Sequence, residues 1–350
     1  MQDRIRVLIV DDSAFFRKRI REELERDGQI LVAGEASNGR EAVAMSRILK
    51  PDVITMDVAM PEMDGIAAVR EIMRSKPTDI LMLSSLTRDG ARATLDALEA
   101  GAVDFLPKQG VYSVDSPACH TLSGRVVGIA RRQRTARLPP AAPAARQINH
   151  SQAKITRPAH RPGGLKLVVI GASTGGPVAI QRVLSALPAD YRYPVLVAVH
   201  MPAEFTATFA ERLDAMCGVN VGLASDGAAL VAGSALIAPG GQQTLVEQRN
   251  GRLRVCLKPG GEQLYKPSVD VVFGSAARAL EGAVQAVVLT GMGADGTEGA
   301  RLLKEKGASV WSQDQASSVV YGMPLSVFKA GHTDRVLPLD EIGSALAGLA

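Results

Sequence analysis

Residues 165–177 read LKLVVIGASTGGP. An aliphatic run stops at Gly171-Ala172-Ser173-Thr174-Gly175 and turns at once into a helical stretch, residues 177–187. There Ile180, Val183, Leu184 and Leu187 form one apolar stripe, and Pro177 suits a first helical turn, where its missing N–H costs nothing. A strand apolar at nearly every position, followed directly by a helix, belongs to a parallel sheet covered on both faces. The pattern recurs downstream, with strand-like runs at 194–199, 235–238 and 286–289. It recurs upstream too, at Ile5–Val10, 52–56, 80–83 and 102–106, with amphipathic stretches at 15–26, Gly39–Leu49 and 88–100 between them. Residues 245–258 differ, and read as a hairpin turning at Asn250-Gly251.

The two series of runs are separated by composition. Residues 131–163 hold eight Lys and Arg and no acid, are rich in Pro and Ala, and run into Gly163-Gly164. They read as an interdomain linker. Those eight charges exceed the chain's net +4, so the remainder is net acidic and the alkaline pI describes no basic binding face. The expected layout is a first domain over 1–130, a linker over 131–163 and a second domain over 164–350. Both domains are α/β, the first doubly wound and flavodoxin-like, the second a parallel sheet with a small antiparallel hairpin. With 46% apolar and 22% charged residues, disorder and a fibre are excluded. Three scattered cysteines form no disulfide framework and no zinc signature. Few aromatics interleave with the basic residues, which argues against nucleic-acid binding. No apolar run approaches the ~20 residues of a membrane span, and the opening MQDRIRVLIVDD lacks a signal-peptide layout, so a cytoplasmic protein without membrane insertion is expected.

Chemistry-bearing residues fall at strand ends. In the first domain Asp11, Asp12 and Asp57 follow apolar runs, and in a doubly wound sheet such ends converge on one crevice. Three carboxylates there repel one another unless a hard cation joins them, and oxygen-only ligands suit Mg²⁺. Ser84 and Lys108 end later runs at the same edge. The set predicts a phosphoryl site: Asp57 accepts the group, the metal and Lys108 neutralise its oxygens, and Ser84 hydrogen-bonds one of them.

In the second domain, G-x-S-x-G lifts the Ser173 hydroxyl above the sheet edge, and the N–H of Thr174 is the natural first oxyanion donor. Taken alone, this glycine-rich turn fits a phosphate cradle equally well. His200 ends the run PVLVAV, and Asp295 lies in LTGMGADG after another run. The three predict a nucleophile, a base and an orienting acid on separate strands. The order Ser–His–Asp differs from that of α/β-hydrolases. Met292 and Met323 otherwise read as core fillers.

Two resemblances sharpen these expectations. VLIVDDS, DVITMDVAMPEMDG, LMLSS and GAVDFLPK, within about residues 4–110, resemble the receiver domain of two-component response regulators. That resemblance implies Asp57 as the phosphorylated residue, Asp11 and Asp12 as magnesium-site acids, Ser84 and Lys108 as switch hydroxyl and lysine, and Phe105 as switch aromatic. Gln109 stands where receivers usually carry proline. From about residue 165 onward, GASTGGP, HMPAEFTATFAERL, APGG, YKPSVDVVFGSAA, LTGMGADG and SSVVYGMP resemble the catalytic domain of the chemotaxis protein-glutamate methylesterase (CheB) family. This implies Ser173, His200 and Asp295 as a triad, with Met292 near the oxyanion and no cofactor for the hydrolysis. It also implies the substrate: γ-glutamyl methyl esters on the cytoplasmic region of chemoreceptors, cleaved to glutamate and methanol, with deamidation of receptor glutamines alongside. A CheA-like sensor histidine kinase would be the phosphoryl donor.

Overall fold

The computed structural model describes residues 4–109, 121–137 and 164–349. The first domain is a five-stranded parallel sheet formed by β1 (Ile5–Val10), β2 (Ile30–Ala36), β3 (Val53–Asp57), β4 (Asp79–Ser84) and β5 (Asp104–Pro107), in the order β2-β1-β3-β4-β5. Helices α1 (Ala14–Glu25), α2 (Gly39–Leu49), α3 (Gly65–Ser75), α4 (Arg88–Glu99) and α5 (Leu122–Arg137) cover it. This is the doubly wound order expected, and it reverses direction between β1 and β3, where a crevice opens. β1 and β3 are buried almost throughout, which is why their sequences run apolar rather than alternating. Helix α5 carries the backbone past residue 130 to Arg137. The remainder of the expected linker, residues 138–163, lies outside the described residues.

The second domain is a seven-stranded parallel sheet in the order β14-β13-β12-β6-β7-β9-β8. Its strands are β6 (Leu167–Ala172), β7 (Val195–Val199), β8 (Asn220–Leu223), β9 (Ser234–Ile237), β12 (Val284–Val288), β13 (Ser309–Gln313) and β14 (Arg335–Leu337). The antiparallel ribbon is β10 (Gln242–Arg249) with β11 (Arg252–Pro259), and it turns at Asn250 and Gly251, both at positive φ as the tight hairpin turn demands. The helices are α6 (Gly176–Ser185), α7 (Ala203–Met216), α8 (Val269–Leu280), α9 (Thr297–Glu305), α10 (Met323–Lys329) and α11 (Leu339–Ala347). The chain leaves β6 toward β7 on one side and returns to β12 on the other, so the switch point lies at the carboxyl end of β6.

The two domains share an apolar core. Phe105 of β5 stacks on Phe205 of α7, ring centroids 4.3 Å apart, and both belong to one continuous buried cluster that takes in both sheets. Arg212 of α7 pairs with Asp96 and Glu99 of α4, and Arg88 pairs with Glu211. Gly128 of α5 faces Val320 so closely that an added methyl would meet it at 3.4 Å.

Candidate active site

Three neighbouring strands deliver the expected triad. Ser173 follows β6, His200 follows β7 on one side, and Asp295 lies in the loop after β12 on the other. The backbone at each end is fixed: Ser173 N–H donates to the Thr290 carbonyl at 3.0 Å and His200 N–H to the Ala172 carbonyl at 3.2 Å. Gly291 permits the close approach, since a methyl there would come within 2.9 Å of Ser173 Cβ. Gly175 sits at φ 75°, a left-handed turn that glycine adopts without strain. No side chain caps α6 behind it. The amides of Thr174 and Met292 have no hydrogen-bond acceptor among the described residues. A helix N-terminus with unengaged N–H groups beside a serine is a ready site for a developing oxyanion.

His200 Nε2 lies 2.8 Å from Asp295 Oδ2, and Nδ1 is buried with no hydrogen-bond partner. The tautomer that satisfies the aspartate puts the proton on Nε2 and leaves Nδ1 as the basic nitrogen. Ser173 and His200 line one cleft of about 20 Å³, little more than one water needs. Among the described residues no direct hydrogen bond joins the serine hydroxyl to the imidazole.

Asp295 is held by more than histidine. Its Oδ1 accepts from the Ser268 hydroxyl at 2.9 Å, Asp270 N–H at 2.9 Å and Gly296 N–H at 3.1 Å, and its Oδ2 accepts from Val269 N–H at 2.7 Å. The carboxylate therefore sits on the amino end of α8. Burial pushes it up, but His200 and these N–H donors outweigh burial and hold it below the usual carboxylate range. The adjacent Asp270 shows the reverse, pushed up to about 6 by burial and by the Asp295 charge.

Several contributors were not anticipated from sequence. Ser268 precedes the run VDVVF and caps α8, a recognisable helix-start signal, but nothing local marks it as a partner of Asp295. The Tyr265 ring stacks on His200, centroids 4.1 Å apart and planes 14° apart. Met323 is fully buried, as a core filler should be, whereas Met292 is half-buried.

The first domain closes this cleft. Asp104, Phe105, Pro107 and Arg125 line it together with Ser173 and His200. Asp104 pairs with Arg125 and accepts the Gly175 N–H at 3.4 Å, on the turn that follows the nucleophile. Burial pushes the Asp104 carboxyl up against the pull of Arg125.

At the first domain's own crevice, Asp11, Asp12 and Asp57 bring carboxylate oxygens within 4.8 Å of one another. Lys108 Nζ lies 2.8 Å from both Asp11 Oδ2 and Asp57 Oδ2, so glutamine at 109 does not prevent the reach. Burial raises Asp57, and Lys108 only partly offsets it; the two acids raise Lys108 against its own burial. Asp11 Oδ2 accepts no hydrogen bond beyond that ion pair. An all-oxygen set with excess negative charge and a spare buried lone pair fits a divalent cation. Ser84 is drawn elsewhere: its fully buried hydroxyl lies 2.7 Å from Thr94 Oγ1 and 3.2 Å from the Gly90 carbonyl on α4.

Comparison with known proteins identifies both domains. Residues 168–346 match the family model described as CheB methylesterase, and residues 7–112 match the response regulator receiver domain. A protein from Alkalilimnicola ehrlichii named protein-glutamate methylesterase/protein-glutamine glutaminase is 50% identical, covering 99% of this chain and all of its own. A Pseudomonas aeruginosa protein of the same name, numbered 1, is 51% identical over 98% of each chain. The crystal structure of the Thermotoga maritima CheB methylesterase catalytic domain matches 53% of this chain and all of its own, with 38% identity and a TM-score of 0.52. Two α/β domains in series, the second with its serine at a switch point, thus find a common parentage: the chain belongs to the CheB methylesterase family, with a response-regulator receiver ahead of the esterase domain.

Proposed function

We propose that this chain hydrolyses γ-glutamyl methyl esters on the cytoplasmic helices of chemoreceptors, releasing methanol, and deamidates receptor glutamines at the same site. The relatives' names supply the substrate class. The observation that carries the chemistry is the His200–Asp295 pair: Nδ1 is left without a partner, and His200 lines one cleft with Ser173. Ser173 Oγ bonds to the ester carbonyl carbon while His200 Nδ1 takes the hydroxyl proton. The N–H groups of Thr174 and Met292 receive the oxyanion, each such donor being worth about 10²–10³ in rate. As the C–OCH₃ bond breaks, His200 returns its proton and methanol leaves. Water then repeats the sequence on the acyl-serine, freeing glutamate; from glutamine the departing group is ammonia. Asp295 keeps the imidazole in the reactive tautomer and stabilises its charged form.

The receiver, to about residue 130 with α5 running on, is the control element of the catalytic unit over 164–350. Asp57 takes the phosphoryl group from a sensor histidine kinase, Asp11, Asp12 and Asp57 would hold Mg²⁺, and Lys108 neutralises phosphoryl oxygens. The site would thereby offset the charge of the transferring group with a bound cation. Ser84 and Phe105 pass the change on. In the unphosphorylated protein Phe105 on Phe205 and Asp104 on the Gly175 amide leave a cleft too small for an ester. Phosphorylation shifts the population toward an open arrangement. No helix among the described residues is long and apolar enough to cross a membrane. Cytoplasmic receptor and kinase partners place the enzyme in the cytoplasm.

Ser173→Ala is expected to lower methanol release from methyl-esterified receptor by at least about 10³-fold while the fold survives. Full activity in that variant overturns the esterase reading. Equal wild-type rates with and without a small phosphodonor overturn the control by the receiver.

A further inference from the structure

A single hydrogen bond, Nε2 to Asp295, leaves the His200 ring free to swing about the line joining the two atoms. The basic nitrogen is useful only if that swing is stopped, and no polar partner holds Nδ1 among the described residues. The flat face of Tyr265 stops it, stacked 14° from parallel at 4.1 Å. Tyr265 is half-buried in the loop between β11 and α8, and its hydroxyl end reaches the oxyanion loop, where a methyl on Gly293 would meet it at 2.9 Å. The loop itself is pinned. Gln243 of β10, buried, donates from Nε2 to the Tyr265 carbonyl at 2.6 Å and accepts the Ser268 N–H at Oε1 at 2.9 Å. One side chain thus fixes both the residue that stacks on His200 and the residue whose hydroxyl binds Asp295.

We propose that Tyr265 is a positioning residue for the esterase reaction: with Gln243 anchoring its loop, it clamps the His200 ring so that Nδ1 stays turned toward Ser173. The clamp acts through histidine and touches no reacting atom, so its effect belongs on the chemical step rather than on substrate affinity. An aromatic face is what the geometry uses. The phenol oxygen lies at the far end of the ring and is not needed for the stack.

This inference rests on the esterase reading, and the test separates the two. Full-length protein with Mg²⁺ and a small phosphodonor is assayed for methanol release from methyl-esterified receptor cytoplasmic domain, with Ser173→Ala defining the serine-dependent rate. If that control loses nothing, the function itself is wrong. Given a serine-dependent rate, Tyr265→Leu is expected to lower kcat about tenfold or more with KM within about twofold. Tyr265→Phe is expected to restore most of kcat. Gln243→Leu, one layer further out, is expected to show the same split at about three- to tenfold. Tyr265→Met, unbranched and better able to follow the ring's length, serves if the leucine variant does not fold. A kcat for the leucine or methionine variant within twofold of wild type overturns the clamp. So does a phenylalanine variant as impaired as leucine, or a loss seen only in KM, which would make Tyr265 a substrate contact.

Discussion

In the receiver, Asp57 and Asp11 share one lysine, whereas in the catalytic domain Asp295 and Asp270 are met by the first turns of two helices. The second pair is cross-braced. Asp295 precedes α9 and binds the amino end of α8; Asp270 opens α8 and accepts the Gly299 N–H of α9 at 2.7 Å. Backbone donors are fixed in place and cost no rearrangement during a reaction, which suits a carboxylate whose task is to hold an imidazole. Burial raises Asp57 against its lysine and Asp270 against its backbone donors, and only Asp295, which has the most donors, is lowered. The receiver crevice gathers three carboxylates around one lysine, an all-oxygen set that suits a cation, whereas the esterase pair is answered by backbone N–H groups and one imidazole.

The largest effect that would break this contrast lies at Asp295. In Asp295→Asn an amide group must face donors at Val269, Asp270 and Gly296 as well as His200, and the imidazole loses its tautomer. The expected fall in kcat is about 10³–10⁴-fold by methanol release. A fall below tenfold would mean that helix donors, not the charge, do the orienting. The receiver side predicts smaller numbers and a different readout. Chelating divalent cations is expected to erase the increment given by a phosphodonor. Phe105→Ala, which removes the stack on Phe205, is expected to raise the phosphodonor-independent rate about three- to tenfold, the population equivalent of an aromatic pair. An unchanged basal rate would show that the cleft is held shut elsewhere, by Asp104, Pro107 and Arg125 at its rim or by the ion pairs between α4 and α7.

What could be read from sequence follows from the parallel sheet. In such a sheet every active strand end points to one edge, so Ser173, His200 and Asp295 announce themselves by ending apolar runs, and so do Asp11, Asp57 and Lys108. Strands β2, β8, β13 and β14 were not marked. β8 and β14 are short and partly exposed, and β13 carries serine and glutamine among its apolar residues, so none gives a clean run. Strand order gave no local signal either: that β12 returns beside β6 depends on a crossover, and only that adjacency brings Asp295 to His200. Tyr265 and Gln243 sit 22 positions apart, in a polar loop and a hairpin, where one aromatic or one amide looks like any other. Ser84 shows the opposite limit. Its place at a strand end was legible, but its engagement with Thr94 is decided by how α4 packs.

The smallest expected effect tests the helix-braced pair directly. Asp270 lies about 6, above the ordinary value near 3.9 of an unfolded chain, because burial and the Asp295 charge disfavour its ionised form. An acid raised in the folded state subtracts stability above that pH and regains it as the pH falls through 6 toward 4. Asp295 has the opposite sign: its lowered value contributes stability at neutral pH that is lost on acidification. Asp270→Asn keeps an Oδ1 for the Gly299 N–H, removes the charge and turns the other oxygen into an amide donor beside Asp295. At pH 7.5 the variant is expected to melt about 2–4 °C higher than wild type, about 1 kcal/mol for a domain of this size after solvent screening. The gap should narrow to about a third by pH 4.5, where the folded carboxyl carries its proton, and close only below about pH 4, where the unfolded one does too. A variant less stable at pH 7.5, or a gap that widens in acid, would show that the Asp270 charge is welcomed by α9 rather than tolerated beside Asp295. The first turns of the two helices would then stabilise both charges at once, and the catalytic domain would hold its acids without any residual conflict.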